Sequence, residues 1–195
     1  MKEIMVATSN LGKVNEFEAI FAPLGYVVKS LKDLETSVEI IEDGETFEEN
    51  ALIKARAIQS CYGGLVVADD SGLEVDALDK RPGVYSARYA GEPSNDENNM
   101  QKVLAELSAV KESERTARFV CALALVGPLG KEVVVRGTCE GRISFEKRGS
   151  QGFGYDPIFY VLAQAKTMAE LSSAEKNKLS HRAEAMKQLK KRLLA

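Results

Sequence analysis

The chain is short of several things, and each shortage excludes a class. It has three cysteines, Cys61, Cys121 and Cys139, an odd number with no close spacing between them. That argues against a disulfide framework or a cysteine-based zinc site, and the thiols are expected to be reduced core filler. There is no excess of positive charge: 26 Lys+Arg against 29 Asp+Glu leave a formal net charge of -3, whereas a protein that coats duplex nucleic acid is strongly basic. Long apolar runs are missing too. Apolar runs such as those at 123–127 and 133–135 are far too short to cross a bilayer. The opening residues Met-Lys-Glu-Ile-Met-Val carry no apolar signal region. The expected setting is cytoplasmic, with no membrane and no nucleic acid as partner. There is no GxxxxGK[ST] P-loop, and no GxSxG around Ser71 with the single histidine, His181, far away in sequence. Repeats, low-complexity tracts and linkers are absent as well. What remains is ordinary globular composition, 45% hydrophobic and 28% charged over 195 residues. That length suits a single domain spanning 1–195, or one domain folded as two lobes around a cleft.

The pattern of elements predicts an α/β fold. Lys2–Thr8 reads as a strand. Ser9-Asn10 offers an N-cap to a helix over 11–21, which Pro23 and Gly25 end. Tyr26–Lys29 reads as a second strand and the acidic stretch 34–44 as a loop. Thr46-Phe-Glu-Glu49 is a capping box that opens a helix to about Tyr62, stopped by Gly63-Gly64. Leu65–Ala68 reads as a short buried strand, and 69–95 as a Gly-, Asp- and Pro-rich stretch with little periodicity. A helix over 95–107, strands at 115–126 and 132–140 joined by a Gly-Pro-Leu-Gly turn, a Gly-rich break at 149–156 and a helical end from 172 complete the chain. Strand–helix–strand order followed by a hairpin implies a mixed sheet.

Five places carry residues suited to chemistry. In Thr8-Ser9-Asn10-Leu11-Gly12-Lys13 a strand hands over to a helix whose free N–H groups can bind an anion, with Lys13 opposing the helix dipole unless an anion is near. An ordinary N-cap with a solvated lysine reads equally well. On the Thr46 helix, Asn50 and Lys54 interrupt the apolar stripe Phe47, Ala51, Ile58. Lys54 either snorkels out or clamps phosphate. Asp69-Asp70-Ser71-Gly72 sets two carboxylates side by side in a turn after a buried strand. Like charges so placed call for a cation, Mg²⁺ by default, to which Glu42 could add a ligand. A plain turn with Asx capping is the alternative. Gly149–Pro157 combines three glycines with Phe153 and Tyr155, either rings for stacking on a base or aromatics buried under a structural turn. In Lys176-Asn-Lys-Leu-Ser-His-Arg182, Ser180 reads as an N-cap that puts His181 and Arg182 in a first turn with donors facing outward, a recognition patch for carbonyl oxygens, though a lone histidine is by default a surface or satisfied residue. Together these are the parts of a nucleoside-triphosphate site.

The segments Ala7-Thr-Ser-Asn-Leu-Gly-Lys13, Thr46-Phe-Glu-Glu-Asn-Ala-Leu-Ile-Lys-Ala55, Ala68-Asp-Asp-Ser-Gly-Leu73, Pro82-Gly-Val-Tyr-Ser-Ala-Arg-Tyr-Ala-Gly91, Gly152-Phe-Gly-Tyr-Asp-Pro157 and Ser180-His-Arg-Ala183 occur in this order from end to end of the chain. In them the chain resembles the inosine/xanthosine triphosphate pyrophosphatases, house-cleaning enzymes that keep deaminated purines out of DNA and RNA. The resemblance implies an elongated mixed sheet flanked by helices, two lobes with a central active-site cleft, and a homodimer. It implies Mg²⁺-dependent hydrolysis of ITP, dITP or XTP to the nucleoside monophosphate and pyrophosphate. It makes Asp70 the proton acceptor and a metal carboxylate, and Glu42 a metal ligand. Thr8, Ser9, Asn10, Lys13, Lys54 and Ser71 fall at the phosphate and sugar end. Phe153, Gly154, Tyr155, Asp156, Lys176, His181 and Arg182 fall at the base-binding end. Two other classes stay open: a related phosphatase that releases orthophosphate, and a nucleotide-binding sensor without turnover.

Overall fold

Residues 2–34 and 38–194 are described in a computed structural model; part of the stretch 34–44, expected to be a loop, lies outside them. Seven strands form one mixed sheet in the order β2-β1-β3-β4-β5-β6-β7: β1 (Lys2–Val6), β2 (Tyr26–Ser30), β3 (Leu65–Val75), β4 (Thr116–Val126), β5 (Glu132–Ile143), β6 (Phe159–Val161) and β7 (Lys166–Thr167). β1 runs parallel to β2 and β3, which requires long crossover connections of the kind a helix supplies, and β5, β6 and β7 are successively antiparallel. Among the described residues five α-helices accompany the sheet: α1 (Leu11–Phe21), α2 (Phe47–Tyr62), α3 (Asp96–Glu106), α4 (Ser173–Leu179) and α5 (His181–Leu194).

The helix starts follow the local chemistry read from the sequence. Asn10 caps α1 by accepting the N–H groups of Gly12 (2.9 Å) and Lys13 (3.2 Å). Thr46 and Glu49 close the expected box at α2: Thr46 Oγ1 accepts the Glu49 N–H and Glu49 Oε2 the Thr46 N–H, both at 3.1 Å. The C-terminal helical stretch is two helices, because Ser180 leaves helical geometry between them, while its Oγ accepts the Ala183 N–H at 3.2 Å.

The chain divides into two compact units. One comprises residues 1–70, 121–137 and 185–195, the other 71–120 and 138–184. In the first, Phe17 and Phe21 of α1 and Ala185, Met186 and Leu189 of α5 share a core with Ile4, Val6, Val67, Leu123 and Leu125 of the sheet. The intervening strand residues Met5, Val66, Ala68, Ala122 and Ala124 are also buried, so both faces of these strands are covered. In the second, Met100, Val103 and Leu107 at α3 pack with Leu73, Val75, Phe119, Ile143, Ile158 and Phe159.

Several expectations change. β3 is eleven residues long and continues to Val75, so Asp69, Asp70 and Ser71 lie in a strand and not in a turn. β5 reaches Ile143, and the short strands β6 and β7 were not legible because they hold three and two residues. Cys121 and Cys139 are buried, and burial raises the Cys139 thiol to about 11, but Cys61 stands exposed on α2 and is not core filler.

Candidate active site

In the first unit the end of β1, the start of α1, the loop before α2, α2 itself and β3 bring together two lysines and three carboxylates. Strand geometry points Asp69 and Asp70 to opposite faces. Asp69, nearly fully buried, meets Lys13 across one face, with Nζ 2.8 Å from Oδ2. Asp70 meets Lys54 across the other, with Nζ 3.2 Å from Oδ1. The adjacent carboxylates therefore do not crowd each other, and each has its own cation. This corrects the picture of two like charges sharing one turn.

Lys54 also donates to Glu42 Oε2 at 2.8 Å. Glu42 is brought there by its own loop, since the Gly44 N–H donates to Asn50 Oδ1 at 2.9 Å and Asn50 is buried one turn before Lys54. Asn50 is thus a structural part of the site that the sequence reading noticed only as an interruption of the apolar face. Its spacing of four from Lys54 was the available signal. Lys54 does not snorkel outward; its side chain is only 13% exposed. Burial would lower its pKa, but Asp70 and Glu42 outweigh that and hold it above the ordinary lysine value. Burial pushes the Asp70 carboxyl up, and Lys54 only partly offsets it. The second carboxylate oxygen of Asp70, Oδ2, is buried and has no hydrogen-bond partner among the described residues. A buried, underused carboxylate oxygen with a raised pKa is suited to accept a proton or a cation.

The start of α1 offers less free backbone than expected, because Asn10 takes the N–H groups of Gly12 and Lys13 and the Asn10 N–H donates to Thr8 Oγ1 at 3.2 Å. Thr8 is buried, Ser9 and Asn10 are exposed, and Ser71 is half-buried in β3.

In the second unit the loop after β5 carries Phe153–Asp156. Phe153 is 64% exposed, and Lys176 of α4 sets its ammonium 5.1 Å from the ring centroid. Lys176 also pairs with the buried Asp156, whose Oδ2 accepts the Phe153 N–H at 3.1 Å. A Cβ on Gly152 would stand 2.0 Å from that oxygen, so only glycine fits there. Tyr155 is different: its ring is buried in the core and its hydroxyl donates to the Ser86 carbonyl at 2.7 Å. Burial raises its pKa far above the usual phenol value. Of the two rings, Phe153 is therefore the exposed one, and Tyr155 anchors the loop. His181 and Arg182 occupy the first turn of α5, as expected, but both are buried, and the His181 ring stacks on Phe119 with centroids 5.0 Å apart. They are not the outward-facing, solvated donors that the sequence suggested. Sequence reasoning also missed Asp96 of α3, whose Oδ2 accepts the Gly154 N–H at 2.7 Å. Its partner lies 58 residues away, and no local signal reaches that far.

Among the described residues, no group of three or more His, Cys, Asp or Glu side chains is gathered tightly enough to hold a metal by itself. Glu42 and Asp70 are joined through Lys54, which both accept from.

The profile of the Ham1 family matches residues 4–192. A dITP/XTP pyrophosphatase of Bacillus licheniformis is 57% identical over 189 residues, 97% of this chain and 96% of that protein. One of Bacillus subtilis is 55% identical, over 100% of this chain and 98% of that protein. Among solved structures, the Ham1 protein of Staphylococcus aureus superposes with a TM-score of 0.93 at 46% identity, covering 99% of this chain and 98% of that one. A HAM1 protein from Coxiella burnetii gives 0.93 at 42% identity, covering 100% and 99%.

Proposed function

The chain belongs to the Ham1 family, and from that premise we infer that it is a nucleoside-triphosphate pyrophosphatase acting on non-canonical purine nucleotides. It hydrolyses dITP, ITP and XTP. We further propose that the bond cut is the α–β anhydride, releasing the nucleoside monophosphate and pyrophosphate, and that the work is done on the free cytoplasmic nucleotide pool.

The observation that carries the chemistry is Asp70. Its carboxyl is buried, shifted upward, paired to Lys54 through one oxygen and unpartnered at the other. In our reading Asp70 accepts a proton from the attacking water. Lys54 and Lys13 supply positive charge for the phosphate oxygens, as a polyphosphate requires. Ser9, Thr8, Asn10 and Ser71 are assigned to the phosphate and sugar end. Glu42 and Asp70 are the residues that would hold Mg²⁺. The fit rests on the free Oδ2 of Asp70 and on a hard, all-oxygen donor pair, which suits a cation that keeps several waters and takes its other ligands from phosphate. Bound there, Mg²⁺ would neutralise phosphate charge and acidify water.

For the base, Phe153 supplies the exposed ring, and Lys176, His181 and Arg182 supply donors. Inosine and xanthine present a carbonyl at C6 where adenine presents an amine, so a donor set matches the former and leaves buried groups unpaired against the latter. Sites of this kind discriminate by about 10⁴–10⁵. The N–H groups of Phe153 and Gly154 are already engaged by Asp156 and Asp96, which leaves base reading to the side chains.

Incubation of the protein with ITP or ATP, with Mg²⁺ or with EDTA, tests the reading through the products. Pyrophosphate from ITP, much less turnover of ATP, and no turnover in EDTA are expected. Orthophosphate as the first product would favour a phosphatase, and ATP hydrolysis equal to that of ITP would overturn the donor argument.

A further inference from the structure

Three consecutive residues of the loop after β5 are tied to three different anchors. The Phe153 N–H goes to Asp156 within the loop, the Gly154 N–H to Asp96 Oδ2 at 2.7 Å, and the Tyr155 hydroxyl to the Ser86 carbonyl at 2.7 Å. Two of these anchors lie in the stretch 82–99, which the reaction chemistry leaves unused. That stretch is itself braced. Asn99, buried, accepts the Ala90 N–H at 2.7 Å and donates to the Ala87 carbonyl at 3.0 Å. Ser86 Oγ accepts the Leu73 N–H at 2.8 Å. Beside Asp96, Glu97 pairs with Lys147 at 2.6 Å, an exposed ion pair that is no part of this brace. Asp96 therefore stands on a rigid base and reaches the loop's backbone.

We propose that Asp96 is a positioning residue for purine recognition: by holding the Gly154 N–H it sets where the exposed Phe153 ring stands. Gly154 has φ +60, a conformation open to glycine, so the peptide between Phe153 and Gly154 has little side-chain restraint of its own. A carboxylate acceptor is a strong restraint on such a peptide. Without it the ring samples other orientations, and the cost of ordering it falls on substrate binding. Asp96 has no part in the phosphate chemistry proposed above, so the chemical step is expected to be unaffected.

This inference rests on the reading of the 153–156 loop as the base end, and the test separates the two. KM and kcat for ITP and for ATP are measured for D96A, D96N, E97Q and F153A, together with the melting temperature of each. D96A raises KM for ITP by about tenfold, the scale of one charge-assisted hydrogen bond, leaves kcat within about twofold, and narrows the ITP-to-ATP ratio. D96N keeps an oxygen acceptor and retains most of the wild-type KM. E97Q removes a charge from the same helix turn without touching Gly154 and leaves KM unchanged. If F153A raises KM for ITP while D96A does not, Asp96 plays no positioning part and the base-loop reading stands. If D96A lowers the melting temperature and depresses both substrates equally, its role is confined to helix stability and the inference is overturned. If F153A leaves the ITP-to-ATP ratio intact, the base-loop reading itself falls.

Discussion

Burial and charge pull Asp70 in opposite directions, and burial prevails. Its carboxyl is raised even though an ammonium lies 3.2 Å away. A side chain held that way is a better proton acceptor than an exposed aspartate. Asp70→Asn keeps the shape and the Lys54 contact but removes basicity and charge. It is expected to lower kcat for ITP by roughly 10²–10⁴ with an unchanged circular-dichroism spectrum; near-normal turnover in the folded variant would rule out the assignment. Asp69, one residue earlier, faces the other way and serves Lys13. One step along a strand thus separates the carboxylate proposed for proton transfer from one that pairs with Lys13.

At the scale of elements, α2 presents Asn50 and Lys54 from a helix whose first turn is closed by Thr46 and Glu49. Thr46→Ala leaves the Glu49 N–H without its cap and is expected to cost about 1 kcal/mol in a urea melt, with kcat retained because no site contact is removed. In the other unit, Asp76 follows β3 and accepts a bidentate pair from Arg118 of β4 at 3.0 and 2.9 Å, and the Thr116 hydroxyl at 2.6 Å, while Arg118 also reaches Glu140 of β5. The Arg118 guanidinium, more than any other neighbour, holds the Asp76 carboxyl well below the usual carboxylate range. A depressed folded-state pKa contributes stability that is fully present above the unfolded value near 3.8 and is lost as pH falls below it. Urea midpoints measured from neutral pH downward should therefore fall more steeply below about pH 4 for the wild type than for Asp76→Asn. Equal slopes would mean that this cluster contributes nothing to acid stability.

For the whole molecule, net charge and surface set the expectations. A net charge of -3 gives no reason for affinity to nucleic acid, and none of the described helices is long and apolar enough to cross a membrane. Among the described residues, large apolar side chains that stand exposed include Leu11, Tyr85, Leu129, Phe145 and Leu162, besides Phe153. A homodimer, as the family resemblance implies, would cover some of these side chains. If that implication holds, sedimentation equilibrium at micromolar concentration should return twice the chain mass; a single-chain mass that persists at high concentration would rule the dimer out.

Local chemistry was enough to place much of this protein. Asn10, Thr46 with Glu49, Asn95 and Ser172 mark helix starts because a side-chain oxygen two or three residues from an open N–H needs nothing else from the fold. Six short motifs in order identified the family, since residue type and spacing are written in the chain itself. The tertiary structure decided what depends on distant partners. It carried β3 through Asp69 and Asp70, because pairing with neighbouring strands outweighs the turn signals of Asp, Ser and Gly. It brought Glu42 to Lys54 across twelve residues and Lys13 to Asp69 across fifty-six. It buried Tyr155, His181 and Arg182 and left Phe153 in the open. Burial is a property of what packs on top of a residue, and no window of sequence contains the segment that does the packing.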